Sequence, residues 1–304
     1  MSLWFRRLYK RALQTDINVG TGTLVAVNRV QRLPGDSFVA HTRLRIVAAA
    51  LGLAITSQQA PAQATLPAGF VYLRDVDPSI AQEIRYAGFD NFVGRPLPGY
   101  EAPECVLRRE VAAALKRVQA SLAALGLSLK VYDCYRPARA VSAMAAWAHD
   151  GRSGGATRRF FPKLQKGSLF ALGYISSRSQ HSTGIAVDLT LIPAPAAAAA
   201  AFDPRAAYGP CTGAAAERGP DNSIDMGTGY DCFDVKSHTA SAVSPEQRRS
   251  RNTLLAAMAA AGFRNYPREW WHFSYGPARA GAQDFPIRAH AATRERVDHA
   301  QENR

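Results

Sequence analysis

A chain of 304 residues that is 47% hydrophobic can build one large domain or two small ones around a real core, which excludes a disordered chain. The formal charge of +13 is concentrated at the front: residues 1–64 hold eight Lys/Arg and two Asp/Glu, leaving 29 against 22 in the remainder. That residual positive charge is dispersed, with small clusters at Arg248–Arg249 and Arg251, and no basic-aromatic stripe of the kind that grips nucleic acid.

The first elements in chain order are not fold elements. His41-Thr-Arg-Leu-Arg45 is a basic start, Ile46 to Ile55 is an apolar run of ten, and Ala60-Pro-Ala-Gln-Ala64 ends in an A-x-A site. This reads as a signal peptide over residues 39–64, cleaved after Ala64 and too short for a stable membrane span. Residues 1–38 are read as a mis-assigned start, with translation beginning near Val39, or else as a disordered basic extension. Residues 65–304 then form the folded domain. The expected location is outside the cytoplasm, in the periplasm or cell envelope. Four cysteines remain after cleavage, and an even count in an exported chain favours disulfides. Three connectivities are open. The preferred one joins Cys211 to Cys232, closing a loop of about 20 residues worth about 3 kcal/mol, and Cys105 to Cys134.

Within the domain, Val111, Leu115, Val118, Leu122 and Leu125 recur at three and four residues, predicting a helix over Glu110–Leu125 stopped by Gly126. Leu127–Tyr132 reads as a strand with Arg136 just past its end. Pro137 opens a second helix to about Trp147, and Pro245 a third to Ala261. Ile185–Ile192 reads as a buried strand, and His272–Tyr275 as another. Helices and strands do not alternate strictly, so the expected class is α+β, a small, mainly antiparallel sheet flanked by helices.

Chemistry concentrates in Ser179-Arg-Gln-His-Ser-Thr-Gly-Ile-Ala-Val-Asp188 and Glu269-Trp-Trp-His272. His181 and Asp188 are seven apart, which fits neither a helical face nor one strand face. The chain must turn between them, with Gly184 as pivot. An Asp inside an apolar strand is costly unless paired or metal-bound. Glu269 and His272, three apart, can meet only if Glu269 lies outside the regular strand or at a bulge. Two histidines and an aspartate with a spare glutamate make a hydrolytic zinc set: three ligands, an open fourth position and a base.

These segments resemble the zinc D-alanyl-D-alanine dipeptidases, the group of the vancomycin-resistance dipeptidase, within the wider family of zinc D,D-carboxypeptidases. The pattern S-x-H-x-x-G-x-A-x-D is met by Ser179, His181, Gly184, Ala186 and Asp188, and E-x-W-H by Glu269, Trp271 and His272. Val131–Arg139, Asp225–His238 and Arg85–Gly94 are similar to three further stretches of the dipeptidase branch. The resemblance covers roughly Phe70–Tyr275 and implies a hedgehog/D,D-peptidase-like fold with one zinc ion per chain at the sheet centre. It implies that His181, Asp188 and His272 bind the zinc, that Glu269 is the general base and later acid, and that Arg136 holds the scissile carbonyl oxygen. It also implies that Ser179 and Asp231 hold the free amine of the substrate D-Ala-D-Ala in a small closed pocket. The alternative reading of Arg136 is a buried ion pair. Cys134 stands where the family usually has glycine. An Ala-rich insertion, including Pro193–Ala201, separates the metal strand from the amine segment as a lid or surface flap. Rival functions on the same fold are a D,D- or L,D-carboxypeptidase or endopeptidase acting on peptidoglycan stems, and a non-catalytic zinc-stabilised binding domain.

Overall fold

The computed structural model describes residues 66–276 and 281–290; the expected signal segment lies outside them. Strand β1 (Phe70–Tyr72) runs into the one-turn helix α1 (Leu73–Val76), followed by the short β2 (Ala81–Gln82). Strand β3 (Val106–Arg108) pairs with β1 antiparallel and continues directly into α2 (Arg109–Ala123). The buried side of α2 carries Val111, Leu115, Val118 and Leu122, as the spacing requires. Leu125, the expected last member of that stripe, lies past the helix end and is 63% exposed. The turn closes at Gly126, whose φ of +67° ends the helical path.

Then come β4 (Leu127–Asp133), α3 (Ala138–Ala148), β5 (Ala186–Pro193), α4 (Pro245–Ala260), β6 (Phe263–Asn265) and β7 (His272–Tyr275). Pro137 is the N-cap of α3 rather than its first helical residue: with φ −53° and ψ 141° it is still extended, and its carbonyl accepts the N–H groups of Ala140 and Val141. By contrast Pro245 does open α4, behind a Ser244–Gln247 capping box.

Five strands form one sheet in the order β2-β4-β5-β7-β6, antiparallel except for the β2–β4 pair. The α+β expectation therefore holds. Every residue of β5 but Pro193 is buried, which is why this central strand reads as an almost unbroken apolar run. Helix α2 packs on β4, α4 packs on β5 and β6, and the two helices touch. Across the sheet, Asp133 of β4 lies opposite Asp188 of β5, which lies opposite His272 of β7. The pairing thus lines up three polar residues across the three central strands, just past an irregularity in β4 between Val131 and Asp133.

Both expected disulfides, Cys105–Cys134 and Cys211–Cys232, are present. The insertion is a surface flap. Its Ala-rich run is exposed, while Asp221 ties it to Lys130 and Arg85, and the amide N–H of Ile224 donates to the Leu191 carbonyl. No helix among the described residues is long and apolar enough to cross a membrane.

Candidate metal centre

Ser179 caps a 3-10 turn, Gln180–Thr183, its hydroxyl accepting the His181 N–H at 3.3 Å. Gly184 ends that turn with φ +80°, and a Cβ there would meet the Phe70 ring at 2.3 Å. The expected pivot therefore exists, and its geometry admits only glycine. The turn brings His181 back over Asp188. On the neighbouring strand, His272 is the first residue of β7, and Glu269 sits in the preceding turn, outside the strand as expected. That turn is closed by hydrogen bonds from the Glu269 N–H to the Tyr266 carbonyl (3.0 Å) and from the His272 N–H to the Glu269 carbonyl (3.3 Å). Trp270 pins it from behind: its indole N–H donates to Thr228 Oγ1 at 2.8 Å and its amide to the Ser237 carbonyl.

The result is a tight donor set. His181 Nε2 is 3.1 Å from His272 Nδ1 and 3.3 Å from Asp188 Oδ1, and His272 Nδ1 is 3.0 Å from Asp188 Oδ1. Ligands about 2.0–2.1 Å from a tetrahedral zinc would be separated by roughly 3.3 Å, so these atoms fit a common metal. Tautomers agree as well. His181 Nδ1 faces the Cys134 carbonyl at 2.7 Å, so it carries the proton and leaves the Nε2 lone pair free. Burial acts to raise the Asp188 carboxyl, but His181 and His272 outweigh it and hold the group well below the usual carboxylate range. It is an anion, as a ligand must be.

Glu269 Oε2 lies 3.7 Å from His272 Nδ1. Burial, with help from the charge of Asp188, raises its carboxyl to about 7 against the opposing pull of His272 and Arg136. Arg136 donates through Nε to Asp133 at 2.8 Å and points Nη2 toward Asp188 at 3.5 Å. Its guanidinium also lies 4.8 Å from the Tyr86 ring centroid. The buried ion pair and the place in the site are both real. Asp231 has φ +55°, the one positive-φ non-glycine residue among those described. Tyr86 donates to its carboxylate at 2.8 Å, and burial, then Asp188, pushes its carboxyl well up.

All seven candidate residues line one cavity of about 550 Å³, together with Phe92, Phe233, Met144 and Tyr174. The volume falls in the ordinary range for small-molecule sites. No residue of the insertion lines it, so the insertion is not a lid over the metal ligands. Three participants carry no role in the motif reading, although Asp133 and Tyr230 lie inside its matched stretches. Asp133 is fully buried and accepts from Tyr100 (2.6 Å) as well as from Arg136. Tyr230 donates to Asp188 at 3.0 Å. Arg251, part of a small basic cluster in the sequence, is 2% exposed and donates to the carbonyls of Met226, Lys236 and His238, holding the segment that carries Asp231. An Asp within the apolar Val131–Tyr135 run was visible in the sequence, by the same logic that singles out Asp188. The other two depend on contacts distant in sequence.

A buried His–Asp–His donor set, with a carboxylate and a guanidinium beside it and an open cavity in front, is the centre of a metal-dependent hydrolase. The chain belongs to the metallopeptidase family described as D-Ala-D-Ala dipeptidase, whose profile matches residues 67–201 and 214–292. The unmatched residues 202–213 lie within the insertion. The chain is 34% identical to a D-alanyl-D-alanine dipeptidase of Streptomyces coelicolor over 221 residues, 72% of this chain and 98% of that one. It is 32% identical to one from Enterococcus faecalis over 206 residues, 67% of this chain and 90% of the relative. A third, from Escherichia coli, is 29% identical over 204 residues, 67% and 82% of the two chains.

Proposed function

We propose that this chain is a zinc-dependent, exported dipeptidase that hydrolyses D-Ala-D-Ala, with His181, Asp188 and His272 as ligands. The mutual 3.0–3.3 Å spacing of the three donor atoms carries the reading. Bound zinc supplies Lewis acidity and makes water a readier proton donor. Glu269 takes the proton from the attacking water and returns it to the leaving amine, a task suited to a carboxyl poised near neutral pH. Arg136, permanently charged and braced by Asp133, holds the carbonyl oxygen and the negative charge that grows on it. Asp231 is a buried carboxyl group that accepts from the Tyr86 hydroxyl, and an incoming substrate ammonium favours its ionised form; Ser179 faces the same cavity.

Selection for a free amine rests on Asp231. The cavity volume favours keeping a second reading, a carboxypeptidase or endopeptidase acting on wall stem peptides. Export is supported by the two disulfides and by the apolar run at Ile46–Ile55. A dipeptidase outside the cytoplasm suits recovery of wall-derived dipeptide, and cell fractionation that finds the mature chain in the cytoplasm sinks that role. The mechanism is tested with Glu269→Gln. Turnover should fall by about 10²–10⁴-fold while one zinc per chain stays bound; near-normal turnover would remove Glu269 from the chemistry.

A further inference from the structure

The turn after β4 is fixed at each of its residues. Asp133 is held by Tyr100 and Arg136, and the Tyr135 N–H donates to the Val106 carbonyl at 2.8 Å. The Arg136 N–H donates to the His181 carbonyl at 3.3 Å. Cys134 does something further: its carbonyl accepts the Nδ1–H of His181 at 2.7 Å, a closer approach than the 3.4 Å to Asp133. Its side chain is bonded to Cys105, at the entry to β3. Strands β3 and β4 belong to different sheets and share no ladder. The disulfide therefore ties the carbonyl that orients a candidate metal ligand to the small sheet behind it. Both cysteines are buried, at 0% and 1% exposure, so the bridge is a fixed brace rather than an exposed switch.

We propose that Cys134 is a positioning residue. Through its bond to Cys105 it holds the backbone carbonyl that orients His181, and this sets the affinity of the centre for its metal. Groups that orient a ligating histidine are worth about 10–100-fold in metal affinity. The inference rests on the zinc-ligand assignment above.

The test compares two double variants with the wild-type protein: Cys105→Ala with Cys134→Ala, and Cys211→Ala with Cys232→Ala. Zinc affinity is measured by competition with a chromogenic chelator, and steady-state kinetics on D-Ala-D-Ala beside it. Loss of the first bridge should weaken zinc binding by about 10–100-fold and lower kcat at saturating zinc, with KM little changed. Loss of the second, next to Asp231, should raise KM and leave zinc affinity as in the wild type. Unchanged zinc affinity without the first bridge overturns the proposal. So does equal weakening in both variants, which would mean a general loosening of the fold. Should the first Ala pair fail to fold, the corresponding Ser pair gives the same comparison. A wild-type chain that binds no zinc would instead defeat the ligand assignment itself.

Discussion

At the scale of the residue, the site is a set of charges that tolerate burial only together. Asp188 and His272 stand out in the sequence because each is an unlikely occupant of its apolar surroundings, whereas His181, among polar neighbours, stands out only by its place in the motif. Asp133 is equally buried, but its worth comes from Tyr100 and Arg136, and only the first of these lies far away in sequence. Asp231 should contribute to substrate binding more than to the chemical step. Removing its charge in Asp231→Asn should raise KM for D-Ala-D-Ala by about 10–100-fold, the value of a charge-assisted hydrogen bond, with a smaller effect on kcat; steady-state kinetics read both. Gly184 is a backbone requirement instead. Gly184→Ala combines a left-handed φ with an overlap on Phe70 and should cost about 2–4 kcal/mol in denaturant unfolding.

At the scale of the element, spacing locates α2 and β5, because a helical stripe and a doubly buried strand leave periodic or continuous apolar signals, while Pro245 marks the start of α4. Ends were less legible. Leu125 fits the stripe numerically but lies beyond the last helical residue, and Pro137 stays extended as a cap. The two-residue β2 carries no pattern at all, since its partner β4 supplies the pairing. The role of α4 was the least readable. Three of its residues are buried, and one is Arg251, whose guanidinium binds backbone carbonyls of the segment bearing Asp231. Arg251→Met should leave those carbonyls unsatisfied and destabilise the protein by about 2–4 kcal/mol, seen as a lower denaturation midpoint, and should also raise KM.

At the scale of the whole molecule, the flap is joined to the sheet by charges. Asp221 meets Arg85, Lys130 and the Tyr132 hydroxyl. Burial acts to raise its carboxyl, but Arg85 and Lys130 prevail and bring it from 3.8 to about 2. A depressed folded-state value means that the stabilisation, about 2 kcal/mol, is complete above pH 4 and is lost as pH falls toward 2. Asp221→Asn should therefore lower stability at pH 7 and flatten the loss between pH 4 and 2 in pH-dependent unfolding. The central claim, that this cavity holds a metal centre built to take a dipeptide by its free amine, is tested most directly by substrate choice. Purified protein loaded with one equivalent of zinc should hydrolyse D-Ala-D-Ala and leave its N-acetyl derivative essentially untouched. Equal cleavage of the two would contradict it.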